Sequence, residues 1–250
     1  MITLKAAKEY VDEDFLAIKQ ITGKGKGNNT YICTTKSAKY IVRIDPDETT
    51  LDRFQKEVWC MSEAQKVGVL VPKVLKIGMK HQSPYMVMSY IEGIDGDDLE
   101  KSQQTKIWQK LGQYSREIHN MKTSGYGHTM TSNGIFNGNW HTFVDYNIES
   151  LHENDPLIEL GILTPEHSQT LRSIFEKLKD RPFNFGLIHN DLSLDNTRLS
   201  QDGKVYLLDS VDPNLAFLAI FSRDCRDFGV IYSDFGYRKQ PISYLKIAQI

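Results

Sequence analysis

Short runs of β-branched and aromatic residues dominate the first part of the chain, and helical spacing takes over beyond them. Phe15–Ile18, Tyr31–Thr34, Tyr40–Ile44, Val71–Gly78 and Tyr85–Tyr90 carry the residue types that fit a pleated, half-buried surface and predict strands. Between them, Leu51–Val67 places Phe54, Val58, Met61 and Ala64 at helical spacing, with Asp52 near the start, where a carboxylate favours the helix dipole. Further on, residues 104–122 put Ile107, Trp108, Leu111, Ile118 and Met121 on one helical side. Trp140–Leu151 and Pro165–Leu178 predict two more helices, the second opened by Thr164 as N-cap and Pro165 at the first position. Gly125-Tyr126-Gly127 and Asn137-Gly138-Asn139-Trp140 read as turns. Leu187-Ile188 reads as a short buried strand and Val205–Leu208 as another, with hairpin-turn chemistry at Gln201–Lys204. The pattern is α+β: residues 1–90 are β-rich with one main helix, and residues 91–250 are mostly helical.

Composition narrows the class without naming it. A chain of 250 residues with 40% apolar content can bury a core as one large domain or two lobes. The net charge of −2 gives no global field pointing to nucleic acid or membrane. Residues 1–88 hold 14 Lys/Arg against 10 Asp/Glu, and the remainder hold 16 against 22, so the first part is basic and the second acidic. Cys33, Cys60 and Cys225 are widely spaced with no C-x-x-C, as expected of reduced, mostly buried thiols. The seven histidines show no zinc-site spacing, and no signal-peptide run or 18-residue apolar stretch occurs, so a cytoplasmic protein is expected.

The chemistry concentrates in His189-Asn190-Asp191-Leu192-Ser193-Leu194-Asp195-Asn196, followed by Asp209. Asn196 lies five residues after Asp191, and Asp209 thirteen after Asn196. Phosphoryl transfer needs one carboxylate to orient and deprotonate the acceptor hydroxyl. It also needs an amide oxygen and a second carboxylate to hold Mg²⁺ against the phosphates. A surface loop rich in Asp and Asn is the bland alternative. Upstream, Gly23–Asn29 forms a glycine-rich loop between strands, where the backbone near Gly25, Gly27 and Asn28 can approach phosphates without Cβ obstruction. The same glycines would also suit a flexible turn. GxxxxGK[ST] is absent, which disfavours a P-loop NTPase.

H-x-D-x-x-x-x-N with an Asp thirteen residues beyond the Asn resembles the aminoglycoside phosphotransferase and choline kinase-like family, relatives of protein kinases. The resemblance spans roughly residues 15–230 and implies a two-lobed protein-kinase-like fold, with a β-rich N-lobe (1–90) and a mostly helical C-lobe (91–250). It implies Asp191 as catalytic base, His189 as brace of the loop, and Asn196 and Asp209 as Mg²⁺ ligands. Arg43 falls where kinases carry the phosphate-pairing strand lysine, and Glu57 where its helix partner stands; otherwise they are a surface strand residue and a solvated helix charge. Adenine would lie against the backbone of Ser89, Tyr90 and Ile91. Asn190 stands where the family usually has Gly, and Ser210 where an aromatic commonly follows the metal Asp; neither removes a chemical group. The Asp-Phe-Gly tripeptides at Asp227 and Asp234 lie too far from Asn196 to share its metal through a simple hairpin, and are expected to be structural.

Implied by the resemblance is phosphorylation of a small-molecule hydroxyl with Mg²⁺ and ATP (or GTP), an aminoglycoside antibiotic being the favoured acceptor. A metabolic kinase for choline, homoserine or a sugar derivative is the alternative, with a non-catalytic ATP-binding pseudokinase behind it. No Lys or Arg occurs between Lys122 and Arg172, while Asp145, Glu149 and Glu153 recur every four residues. On a helix that row would recruit a cationic acceptor, or else form a solvated face. Glu92, Asp95, Asp97, Asp98 and Glu100 form a second acidic cluster with the same two readings.

Overall fold

In the computed structural model, residues 9–11, 13–22, 29–130, 134–182, 185–187, 189 and 191–208 are described. Gly25, Gly27, Asn28, Ile188, Asn190, Asp209, Ser210, Cys225, Asp227 and Asp234 lie outside these described residues. The first half builds an antiparallel sheet from β1 (Phe15–Ile21), β2 (Asn29–Thr35), β3 (Lys39–Ile44), β4 (Val74–Lys80) and β5 (Ser83–Ser89) in the order β1-β2-β3-β5-β4. Its faces are sorted by the period of two. Tyr31, Cys33, Val42, Tyr85 and Val87 pack on one side, while Met86, Met88 and Ile41 face the other with Phe54, Cys60 and Met61 of helix α1 (Thr50–Lys66). Because β5 is buried from Pro84 to Met88, its apolar run is continuous rather than alternating.

Beyond β5 the chain enters a second sheet. There β6 (Gly93–Asp95), β9 (Thr197–Ser200) and β10 (Val205–Leu207) stand in the order β10-β9-β6. Helix α2 (Lys101–His119) buries Ile107, Leu111, Tyr114 and Ile118, a stripe at spacings of four, three and four. Trp108 is not on that stripe; one residue of rotation from Ile107 leaves it 49% exposed, contrary to expectation. The remaining helices are α3 (Trp140–Ser150), α4 (Pro156–Glu159) and α5 (Pro165–Lys179). Thr164 caps α5 as expected, its hydroxyl accepting from the His167 amide at 3.2 Å. Among the described residues no helix is long and apolar enough to cross a membrane.

Two local expectations are corrected. Gly125-Tyr126-Gly127 is not a turn; it belongs to β7 (Ser124–Met130), which pairs in parallel with β8 (Ile135–Gly138). The strands approach so closely that a Cβ on Gly125 would meet the Phe136 carbonyl oxygen at 1.9 Å. Tyr126 thereby joins Trp140, Phe143 and Phe185 in one aromatic cluster, with ring centroids 5.3, 5.5 and 5.5 Å from its own. Nor does Leu187 lie in a strand. Its segment is tied to the residues after α2 by bonds from Thr123 N to Phe185 O (3.1 Å) and from Leu187 N to Met121 O (3.2 Å).

Cys33 and Cys60 are free and buried, and desolvation pushes their thiols up to about 11 and about 12 respectively.

Candidate active site

Period-two alternation on β3 puts Arg43 on the same face as Ile41, the face covered by α1. One turn along that helix from Phe54, Glu57 meets it: Arg43 Nη1 donates to Glu57 Oε1 at 2.5 Å. The Arg43 side chain is 11% exposed and that of Glu57 3%, and the guanidinium carbon stands 5.3 Å from the Phe54 ring centroid. The surface-residue alternatives for both positions are therefore excluded. A pair buried and held this tightly fixes the guanidinium beneath the sheet.

The loop after Leu187 is organised by its own backbone. His189 is 2% exposed, and its carbonyl accepts from the Asp191 amide at 2.8 Å. The same Asp191 amide also approaches the His189 ring, 3.4 Å from Nδ1. Asp191 itself is exposed. Asn196 closes the loop, its Nδ2 donating to Asp191 Oδ2 at 2.9 Å and to the Asp191 carbonyl at 3.0 Å. Both neighbours are acceptors, so the amide nitrogen must face them and Oδ1 is turned away, free in chemical type to ligate a hard cation. The Asn196 carbonyl accepts from Leu208 N at 2.8 Å, which binds this loop to the end of β10. Gly203 makes the intervening turn with φ +77°, as read from Gln201–Lys204. From α2, the buried Tyr114 hydroxyl donates to the Val205 carbonyl at 2.9 Å and fixes the hairpin from below.

At the junction of the two sheets, Ser89 N donates to Lys73 O (2.9 Å) and Tyr90 N to Lys39 O (3.2 Å). The second bond marks Tyr40 and Ser89 as a non-hydrogen-bonded pair, so the Ser89 carbonyl is not spent on β3. Ile91 O accepts from Arg198 Nη1 at 3.0 Å. Arg198 also donates twice to Asp95, and its guanidinium carbon is 5.1 Å from the Tyr90 ring centroid. Sequence reasoning missed Arg198; its only signal was a cation two residues past Asn196 on a short strand.

The acidic row is corrected. Helix α3 ends at Ser150, so Glu153 lies beyond it and the three carboxylates do not share one helical face. Asp145 is neutralised by Lys179 of α5, with Nζ to Oδ1 2.6 Å. Glu149 and Glu153 make no ion pair among the described residues. The second cluster is likewise partly spent, Glu92 on Lys39 (2.6 Å) and Asp95 on Arg198.

Near the loop, burial holds the His119 imidazole below its usual value of 6.5, and neighbouring His189 adds to the shift. A histidine kept neutral by the fold contributes stability that is fully present above pH 6.5 and is lost as pH falls through its lowered folded value. Thermal melts between about pH 7 and pH 5 should therefore fall less steeply for His119→Gln than for the wild type. Equal slopes would show that His119 does not contribute to the acid sensitivity.

Residues 18–209, which include every position discussed above except the outer ends of the chain, match the model of the phosphotransferase enzyme family. A probable ketoamine kinase of Staphylococcus aureus is 23% identical over 212 residues, spanning 79% of this chain and 69% of that protein. A thermostable mutant of aminoglycoside phosphotransferase APH(4)-Ia, solved as a ternary complex with AMP-PNP and hygromycin B, is similar with a TM-score of 0.63 at 17% identity. The match covers 84% of this chain and 72% of that one. A proposed fructosamine-3-kinase from Haemophilus somnus 129PT gives 0.52 at 12% identity, with the same coverage of each chain. At such identities the structural likeness speaks to the fold alone, which is α+β with a β-sheet first part and a largely helical remainder.

Proposed function

We propose that this chain, which belongs to the phosphotransferase enzyme family, transfers the terminal phosphoryl group of a nucleoside triphosphate to a hydroxyl of a sugar-derived amine. The Asp191–Asn196 pair carries this reading: an exposed carboxylate is held by an amide whose oxygen is left for a cation. Asp191 accepts the proton of the attacking hydroxyl as that oxygen bonds to phosphorus and the bond to the leaving diphosphate breaks. Arg43, steadied by Glu57, takes the phosphates, and the backbone of Ser89 to Ile91 takes the base. Asn196 Oδ1 and, outside the described residues, Asp209 would hold Mg²⁺, which would supply neutralisation of phosphate charge. Gly25, Gly27 and Asn28 would supply amides to the same phosphates, also outside the described residues.

An aminoglycoside is the favoured acceptor. The support is a fold shared with an enzyme solved with AMP-PNP and hygromycin B. A ketoamine is the second reading, favoured by the name of the Staphylococcus aureus relative. Both are hydroxyl-rich amines, so a cationic acceptor suits either. Of the carboxylates in the broken row, Glu149 and Glu153 remain available to meet it, whereas Asp145 is engaged by Lys179.

The test is a phosphotransfer screen with ATP and GTP as donors over aminoglycosides including hygromycin B, protein-derived ketoamines, choline and homoserine. Nucleoside diphosphate release is measured together with mass spectrometry of the acceptor. Phosphorylated aminoglycoside or ketoamine is expected. Turnover with choline or homoserine alone would make it the metabolic alternative. Nucleotide binding without product from any acceptor would favour the pseudokinase.

A further inference from the structure

We propose that Arg198 is a positioning residue that clamps the base-binding hinge to the loop bearing Asn196, and thereby sets affinity for the nucleotide. The inference rests on the donor reading above and deepens it. β9 begins at Thr197, the residue after Asn196, so Arg198 is one step removed from the loop that would hold the cation. Its strand pairs with β6 in a register that sets Arg198 opposite Asp95. Arg198 Nε donates to Asp95 Oδ1 at 2.8 Å and Nη2 donates to the same oxygen, with both side chains less than one-fifth exposed, at 16% and 17%. Nη1 remains, and it donates to the Ile91 carbonyl.

The guanidinium carbon also stands over the Tyr90 ring, 5.1 Å from its centroid. From the first sheet, Lys39 Nζ lies 5.4 Å from the same ring centroid while pairing with Glu92. Tyr90 thus has a cation from β3 and a cation from β9 on it, one from each sheet. Residues 90 and 91 are consequently fixed from the side of the catalytic loop, by a planar group each of whose three nitrogens donates to Asp95 or to Ile91. With the Ile91 carbonyl held by Arg198, the peptide groups between Ser89 and Ile91 have their orientation set. These are the groups offered to a purine edge.

A lysine in place of Arg198 keeps the charge and can meet Asp95, but its single ammonium cannot also reach Ile91 O and stay over Tyr90. Base affinity should fall while the Asp191–Asn196 geometry survives. The full chain is tested as wild type, Arg198→Lys and Asp95→Asn. Measurements are the ADP Kd by calorimetry in MgCl₂, the KM for ATP and kcat with the acceptor that the phosphotransfer screen identifies, and Tm. Expected is an ADP Kd and ATP KM raised about five- to fifty-fold, the scale of a site-to-site coupling, with kcat within about twofold. A structural role alone would lower Tm and the active fraction without moving the Kd of the folded protein. An ADP Kd within about twofold of wild type in Arg198→Lys overturns the clamp. So does a fall in kcat at unchanged KM. Should Arg198→Lys fail to fold, Asp95→Asn decides on the same criteria, because it loosens the clamp with little change in shape. If the wild type binds neither ADP nor ATP, the donor reading falls and the clamp with it, an outcome distinct from variants that match a binding wild type.

Discussion

Asp191→Asn should lose roughly 10²–10⁴-fold in kcat, the range for a positioned general base, while the ADP Kd stays close to wild type. The substitution is chosen for its geometry. Asn196 Nδ2 donates to Asp191 Oδ2 at 2.9 Å, and an asparagine oxygen in the same place accepts that bond equally well. Its second bond goes to the Asp191 backbone carbonyl and is untouched. The loop therefore keeps its shape, and what disappears is a group able to take a proton. Asp195→Asn serves as the control, since Asp195 is exposed in the 3₁₀ turn that ends the same loop and has no assigned chemistry. Parallel losses in both variants would indicate a field effect of loop charge. A near-normal kcat in Asp191→Asn would move the base elsewhere.

The legible parts of the site share a property: their groups are close in sequence or carried by a periodic element. Asp191 and Asn196 meet within one loop, so their spacing alone encodes the contact. Arg43 and Glu57 are fourteen residues apart, yet a strand period and a helix period each predict which face they take. By contrast, Arg198 finds Asp95 across 103 residues, a pairing set by the register of β6 on β9 that no local pattern announces. The acidic row failed for a related reason. Its charge count was right, but the end of α3 and the arrival of Lys179 from α5 are tertiary facts.

Turn chemistry was legible only where it followed common signals. Gly203 lies where Gln201–Lys204 predicts a turn. The β4–β5 hairpin instead turns through His81 and Gln82, at φ 50° and 61°, in the left-handed region that Asn-Gly usually occupies. The six register pairs of β4 and β5, from Val74 opposite Met88 to Lys80 opposite Ser83, hold the hairpin despite two awkward turn residues. The Gly-Tyr-Gly segment misled in the opposite sense: glycines that usually mark a turn here let two strands approach, with Tyr126 as the buried payload between them.

Glu57→Gln should be strongly destabilising, because it leaves the Arg43 guanidinium in a nearly closed space without the carboxylate 2.5 Å away. Removing one partner of a buried pair typically costs about 3–5 kcal/mol. Arg43 retains some solvent contact, so the lower end is expected, about 3 kcal/mol. For a chain of this size that is a fall in Tm of roughly 6–12 °C. The decisive comparison is the double variant Arg43→Met/Glu57→Leu, which replaces the pair with apolar groups beside Phe54, Met61 and Met86. Swapping a buried pair for packed hydrophobes is often neutral or stabilising, so its Tm should return most of the way to wild type. Nucleotide affinity should not return, since the cation proposed to meet the phosphates is gone. The two readouts then separate: stability follows whether the pair is balanced, and binding follows whether Arg43 is present. A double variant that binds ADP as tightly as wild type would reduce Arg43 to a structural residue, and a Tm for Glu57→Gln within about 3 °C of wild type would mean that the pair is solvated enough to be dispensable.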